Sequence, residues 1–151
     1  MNEQEYAGFW IRTGAAIIDS ILILIIIAPI LTGIYGTDYW MSESFVLGGW
    51  DVLFNYVLPA IAVIIFWVYK SATPGKMATK LTIVDAKTGG KPSTGQYIGR
   101  YLGYYVSMIP LFLGIIWVGI DKRKQGWHDK LAGTVVIKSN LSEPVKFESL
   151  E

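Results

Sequence analysis

Asp19 stands in GFWIRTGAAIIDSILILIIIAP, residues 8–29, where its only charged companion is Arg12. A carboxylate in such apolar surroundings costs several kcal/mol unless it faces protein or water and finds a partner. The chemistry open to it is exchange. Carboxylate oxygens suit a hard monovalent cation, and the same oxygens take a proton, so the two compete for one site. A small rearrangement of neighbouring charge would switch Asp19 between protonated and ion-bound states.

Arg12 precedes Asp19 by nearly two helical turns, so both side chains point to the same side of a helix while standing roughly 10 Å apart along it. That is too far for a direct pair, and groups from elsewhere in the chain are expected to meet them. Asn55, the one amide of the second apolar stretch, could lend an oxygen to an ion path, although a polar bridge between helices is its plainer use. Asp51 stands where a helix begins, and a capping role or a favourable interaction with the helix dipole accounts for it.

Other chemistries are poorly served. The chain has no cysteine and one histidine, His128, which excludes disulfides, thiolate sites and a multi-histidine metal site within one chain. His128 has no local nucleophile, and SATPGK at 71–76 lacks the leading Gly and trailing Ser/Thr of a phosphate-binding loop. No enzyme activity, cofactor, metal or nucleic-acid partner is expected.

The elements that must position these residues are membrane spans. At 151 residues, 52% hydrophobic and 17% charged, the chain is too apolar for an ordinary soluble domain and too short for a large transporter monomer. Residues 14–34 carry a single charge over about 31 Å of helix, the depth of a bilayer core. The stretch lacks a small-x-small cleavage pattern and reads as a retained span, not a secretory signal, with Pro29, Gly33 and Gly36 loosening or ending its far side. A second span covers 52–69, with a kink expected at Pro59. The connection at 35–50 has acids but no Lys or Arg, whereas 70–100 is basic. The positive-inside tendency therefore puts the first loop outside, and the N-terminus and the 70–100 loop in the cytoplasm of a multi-pass cell-membrane protein.

The third apolar stretch, 101–120, is long enough to cross once, yet the basic residues after it favour a return to the cytoplasm by a hairpin broken around Pro110 and Gly114. KLTIVDA at 80–86 and GTVVIKS at 133–139 are β-branched runs, and a lone strand leaves its backbone unpaired. Pairing them requires both to share one side of the membrane. The expected fold is mainly α and polytopic, with two clear transmembrane helices, a broken or re-entrant third segment and a short cytoplasmic β-pair. Residues 1–139 form the membrane domain and 140–151 a loose acidic tail.

Arg12 and Asp19 on the first helix, ATPGK at 72–76, LTIVDAKTG at 81–89, Arg100 ahead of the third apolar stretch and DKRKQGWHDKLAGTVV at 121–136 together resemble the RDD family of small integral membrane proteins. The match covers nearly the whole chain. The family's name records one arginine and two aspartates, which the resemblance carries onto Arg12, Asp19 and either Asp129 or Asp121, with Asp129, inside HDKLAGT, preferred. It implies a transport-associated membrane protein, sodium/proton exchange having been attributed to some members.

On that basis Asp19 is the exchanging group, Arg12 its charge-balancing partner, and Asp129, beside His128 and Lys130, the cytoplasmic end of a path for monovalent cations and protons. The alternative is a non-transporting scaffold or accessory subunit in which Arg12, Asp19 and Asp129 are a structural cluster. Trp127 and His128 on a basic platform would then dock a membrane partner or anionic lipid on the cytoplasmic face. Two or three spans hardly enclose a pathway, so either role calls for a homo-oligomer or a partner membrane protein.

Overall fold

A computed structural model describes residues 5–138 of the protein; the acidic tail expected at 140–151 lies outside the described residues. Helix α1 is Phe9–Tyr35 and helix α2 is Gly49–Lys70, both long and apolar enough to cross a membrane. Their side chains face outward, Ile25 being 64% exposed, as suits a surface solvated by lipid. Pro29 does not end α1. The helix runs on to Gly36, whose left-handed backbone (φ 78°) stops it while its N–H donates to the Thr32 carbonyl at 2.8 Å. In α2, Pro59 has no N–H to return to the preceding turn, and the helix absorbs the mismatch as a π turn over Leu53–Val57.

After α2 the chain forms a short helix α3 (Pro74–Ala78), capped by the Thr73 hydroxyl with Pro74 at its first position. Strand β1 (Leu81–Asp85) follows. Helix α4 spans Thr94–Met108, beginning earlier than its apolar run because Ser93 and Gln96 form a capping box. Helix α5 (Leu113–Gly119, its last turn 3-10) meets α4 at 113°, so the third apolar segment is broken, as its composition implied. The break falls at 109–112, where Leu111 and Phe112 take left-handed backbone. Helix α6 (Trp127–Ala132) and strand β2 (Thr134–Lys138) complete the described chain.

The expected β-pair forms. β1 and β2 are antiparallel, with Leu81 opposite Lys138 and Asp85 opposite Thr134. Residues 5–7 run along the free edge of β2, where Tyr6 bridges Ile137 and the Ala7 N–H donates to the Val136 carbonyl at 2.9 Å. Residues 5–7 are therefore held against the sheet. This arrangement puts the entry to α1, the connection after α2 and β2 on one side of the molecule, and the chain between the strands must leave and return on that side. The core joins Ala7, Ala15, Trp67, Leu81, Ile83, Tyr97 and Val136, where the ends of α1 and α2 meet the sheet and α4.

Candidate functional site

One face of α4 repeats Tyr97, Arg100, Gly103 and Ser107 at helical spacing, and all four are buried. Gly103 lets α6 approach: a side chain there would come within 2.9 Å of the His128 Cα. Arg100 is thereby carried under the start of α1, fully removed from solvent. Its Nη1 donates to an Asp129 carboxylate oxygen and to the Thr134 hydroxyl at 2.9 Å, and its Nη2 to the Tyr104 hydroxyl at 3.3 Å. The guanidinium faces two neighbouring rings, its Cζ 5.5 Å from the centroid of Trp67 and 5.6 Å from that of Tyr104.

Asp129 has its other oxygen on Arg12, which donates from Nη2 at 2.7 Å and also reaches the Lys124 carbonyl at 3.2 Å. The same oxygen accepts from the Gly126 N–H at 3.0 Å, steadying the first turn of α6. One carboxylate thus bridges two arginines from α1 and α4, and its own helix is fastened to both. The imidazole of His128 stacks on Tyr104 at 3.9 Å, with Nε2 3.4 Å from Asp129. Burial, reinforced by the charges of Arg100, Arg12 and Lys76, holds the His128 pKa well below the usual range, so it is neutral and this approach is not an ion pair.

Asp19 is met by a different part of the chain. The Thr73 hydroxyl donates to one oxygen at 2.5 Å and the Gly75 N–H to the other at 2.7 Å, so the carboxylate sits at the start of α3. Gly75 is required there, because a Cβ would fall on the backbone carbonyl of Ala15. The next residue, Lys76, is 7% exposed, and no acceptor for its ammonium is found among the described residues. Burial lowers the Lys76 pKa; Tyr104 opposes this, Arg100 and Arg12 add to it, and Asp19 opposes it.

Arg12 and Asp19 are each met from elsewhere in the chain, as their spacing required, but they do not meet each other. The partner of Arg12 is Asp129, while Asp19 is held by two neutral donors and feels Lys76. The charge balance expected of Arg12 toward Asp19 is therefore not made by contact, since its ion pair is with Asp129.

Asn55 is also re-placed. It donates to Tyr39 at 2.8 Å and to Asp51 at 2.5 Å, near the far end of α2, roughly 22 Å of helix from the end that leads to Thr73. It braces a loop there. Asp51 is buried, accepting from the Tyr39 hydroxyl at 2.6 Å and the Leu47 N–H at 2.8 Å, so it ties the 36–48 connection to α2 from within the first turn, and the capping position falls to Gly48. Asp121 pairs with Lys130 at 2.6 Å and accepts the Arg123 and Gln125 N–H groups, which together with Lys130 hold its pKa low despite partial burial. It has no contact with Arg12 or Arg100, and Asp129 alone of the two holds the arginines. Lys76, Trp67 and Tyr104 were not singled out from the sequence. The helical spacing of Tyr97, Arg100 and Tyr104 was the available signal.

The sequence model of the RDD family matches residues 6–133. An uncharacterized protein of Rickettsia prowazekii is 38% identical over 112 residues, covering 66% of this chain and 62% of that protein, so the chain spans less than two thirds of that relative. The uncharacterized protein YxaI of Bacillus subtilis is 31% identical, covering 89% of this chain and 98% of its own. The uncharacterized membrane protein YteJ of the same organism is 28% identical, covering 90% and 83%. No solved structure matches.

Proposed function

The chain belongs to the RDD family, and from that premise we propose that it is a transport-associated membrane protein exchanging a monovalent cation for a proton, with Asp19 binding the cation and Lys76 releasing the proton. The observation that carries this reading is the unequal treatment of the two aspartates. Asp129 is committed to Arg12 and Arg100, whereas Asp19, the one acid of α1, is held only by neutral donors beside a buried ammonium.

In the resting state the Lys76 ammonium balances Asp19. A sodium or potassium ion bound to the Asp19 carboxylate, with the Thr73 hydroxyl turned to offer its oxygen, takes over that balance. Lys76 is then a surplus buried cation, faced by Arg100 and Arg12 as well as Tyr104 and Asp19, and its Nζ gives up a proton. Proton return to Lys76 expels the ion. One charge replaces another, so the exchange is electroneutral.

Arg12, Asp129 and Arg100 serve as the fixed frame of the site. In this reading the strand-bearing side, with its basic residues, faces the cytoplasm, and the bent α4–α5 pair enters the membrane from there as a re-entrant hairpin. Two full crossings leave a pathway open on one flank, which a second copy or a partner protein closes.

A non-transporting scaffold is favoured by a separate observation: each Asp19 oxygen already has a donor, so the carboxylate serves as a clasp between α1 and α3. Proteoliposomes carrying a pH-sensitive dye distinguish the two readings. Exchange predicts that a sodium or potassium gradient drives proton movement and that Asp19→Asn, reconstituted to the same folded amount, abolishes it. No proton movement by the folded native protein with either cation would leave the scaffold.

A further inference from the structure

We propose that Arg100 and Trp67 form a binding site for a small monovalent anion of the halide class, beside the Arg12–Asp129–Arg100 frame. Among the described residues, two side-chain N–H groups wholly removed from solvent have no hydrogen-bond partner, the indole Nε1–H of Trp67 and the Nε–H of Arg100. Buried donors are paired in the great majority of native structures, because an unmade hydrogen bond forfeits hydration without return. Both orphans belong to side chains in contact, with the Arg100 Cζ 5.5 Å from the Trp67 ring centroid.

Charge supplies an independent argument. Arg12, Arg100 and Lys76 are gathered around Asp129 and Asp19, which leaves one positive charge in excess when Lys76 is protonated. A monovalent anion answers both the unpaired donors and this formal excess.

Size follows from burial. Trp67 is 2% exposed and Arg100 is fully buried, with the Tyr104 ring near the guanidinium, so a small ion suits this place better than an anion carrying an organic tail. A halide fits the chemistry. It accepts from N–H groups in any direction, and indole and guanidinium donors satisfy it without a cation at the site.

The test uses the purified full chain in detergent, comparing sodium chloride with sodium gluconate at equal ionic strength, gluconate being too large for the site. Chloride NMR linewidths read binding directly, and thermal midpoints read its linkage to folding. Native protein is expected to broaden the chloride signal saturably, with bromide displacing it. Trp67→Phe, which keeps a ring and deletes the N–H, should weaken binding about tenfold or more. Trp50→Phe, 17 residues earlier on α2 and so about 25 Å away along the helix, should bind as the native protein does.

Bromide quenching of native tryptophan fluorescence, relieved by chloride, provides a readout that needs no variant should Trp67→Phe fail to fold. Linewidths and midpoints that do not distinguish chloride from gluconate, or a folded Trp67→Phe that binds chloride as tightly as native, would overturn the proposal and assign the two donors to water.

Discussion

Replacing Asp129 by asparagine keeps the shape of the side chain and removes the charge that two arginines share. Arg100 is fully buried and the Arg12 side chain only 10% exposed, so neither recovers hydration when its counter-charge is lost. Breaking a buried pair in this way costs about 3–5 kcal/mol, chiefly through the uncompensated charge left behind. Tenfold per 1.4 kcal/mol turns that into roughly a 10²–10⁴-fold shift of the unfolding equilibrium. Asp121→Asn is the matched control. Its ion pair is with Lys130, whose side chain is 45% exposed, and the amide oxygen can still accept the Arg123 and Gln125 N–H groups, so a loss of about 0–1 kcal/mol is expected. Detergent-to-SDS titration followed by circular dichroism measures both. If Asp129→Asn costs no more than Asp121→Asn, the buried cluster is not what joins α1 to α4 and α6.

Gly75→Ala drives a methyl group into the Ala15 carbonyl and should cost about 1–3 kcal/mol in the same titration. Gly99→Ala, in open space on α4, should be neutral or stabilising by up to about 1 kcal/mol, and equal effects would refute the close packing of α3 on α1. His128 is the one histidine, and its pKa is held well below 6.5 in the folded protein. The unfolded chain therefore binds a proton that the folded chain refuses. Stability should be fully present above pH 6.5 and fall below it by up to about 1.4 kcal/mol per pH unit, a slope that His128→Phe removes. In this cysteine-free chain, Lys87→Cys and Lys138→Cys should react with an impermeant thiol reagent from the same side of the membrane and Phe45→Cys from the other. Opposite labelling of the first two would contradict the strand pairing in the membrane.

The spans were legible in the sequence because length and hydropathy suffice to specify them, and the β-pair because two short β-branched runs had no other way to satisfy their backbones. The side-chain partners were less so. Arg12 and Asp19 share a helix face, but the carboxylate that reaches Arg12 lies 117 positions away on a six-residue helix, where no local pattern signals it. Lys76 read as one of many basic residues marking a cytoplasmic loop. Its burial follows from α3 folding back against α1 through Gly75, a contact that only the assembled structure reveals. An amide in an apolar helix invites a place on an ion path, whereas the partners of Asn55 are Asp51 one turn earlier in α2 and Tyr39 of the 36–48 connection.

The claim that Asp19 and Lys76 exchange a cation for a proton is tested most directly by proton release from the purified protein. Sodium or potassium chloride is added to a weakly buffered detergent solution near neutral pH, and the pH is followed with an indicator. The account predicts saturable release approaching about one proton per chain, absent in Asp19→Asn and in Lys76→Met. Cation binding with no proton released, or release that persists in folded Lys76→Met, would contradict it.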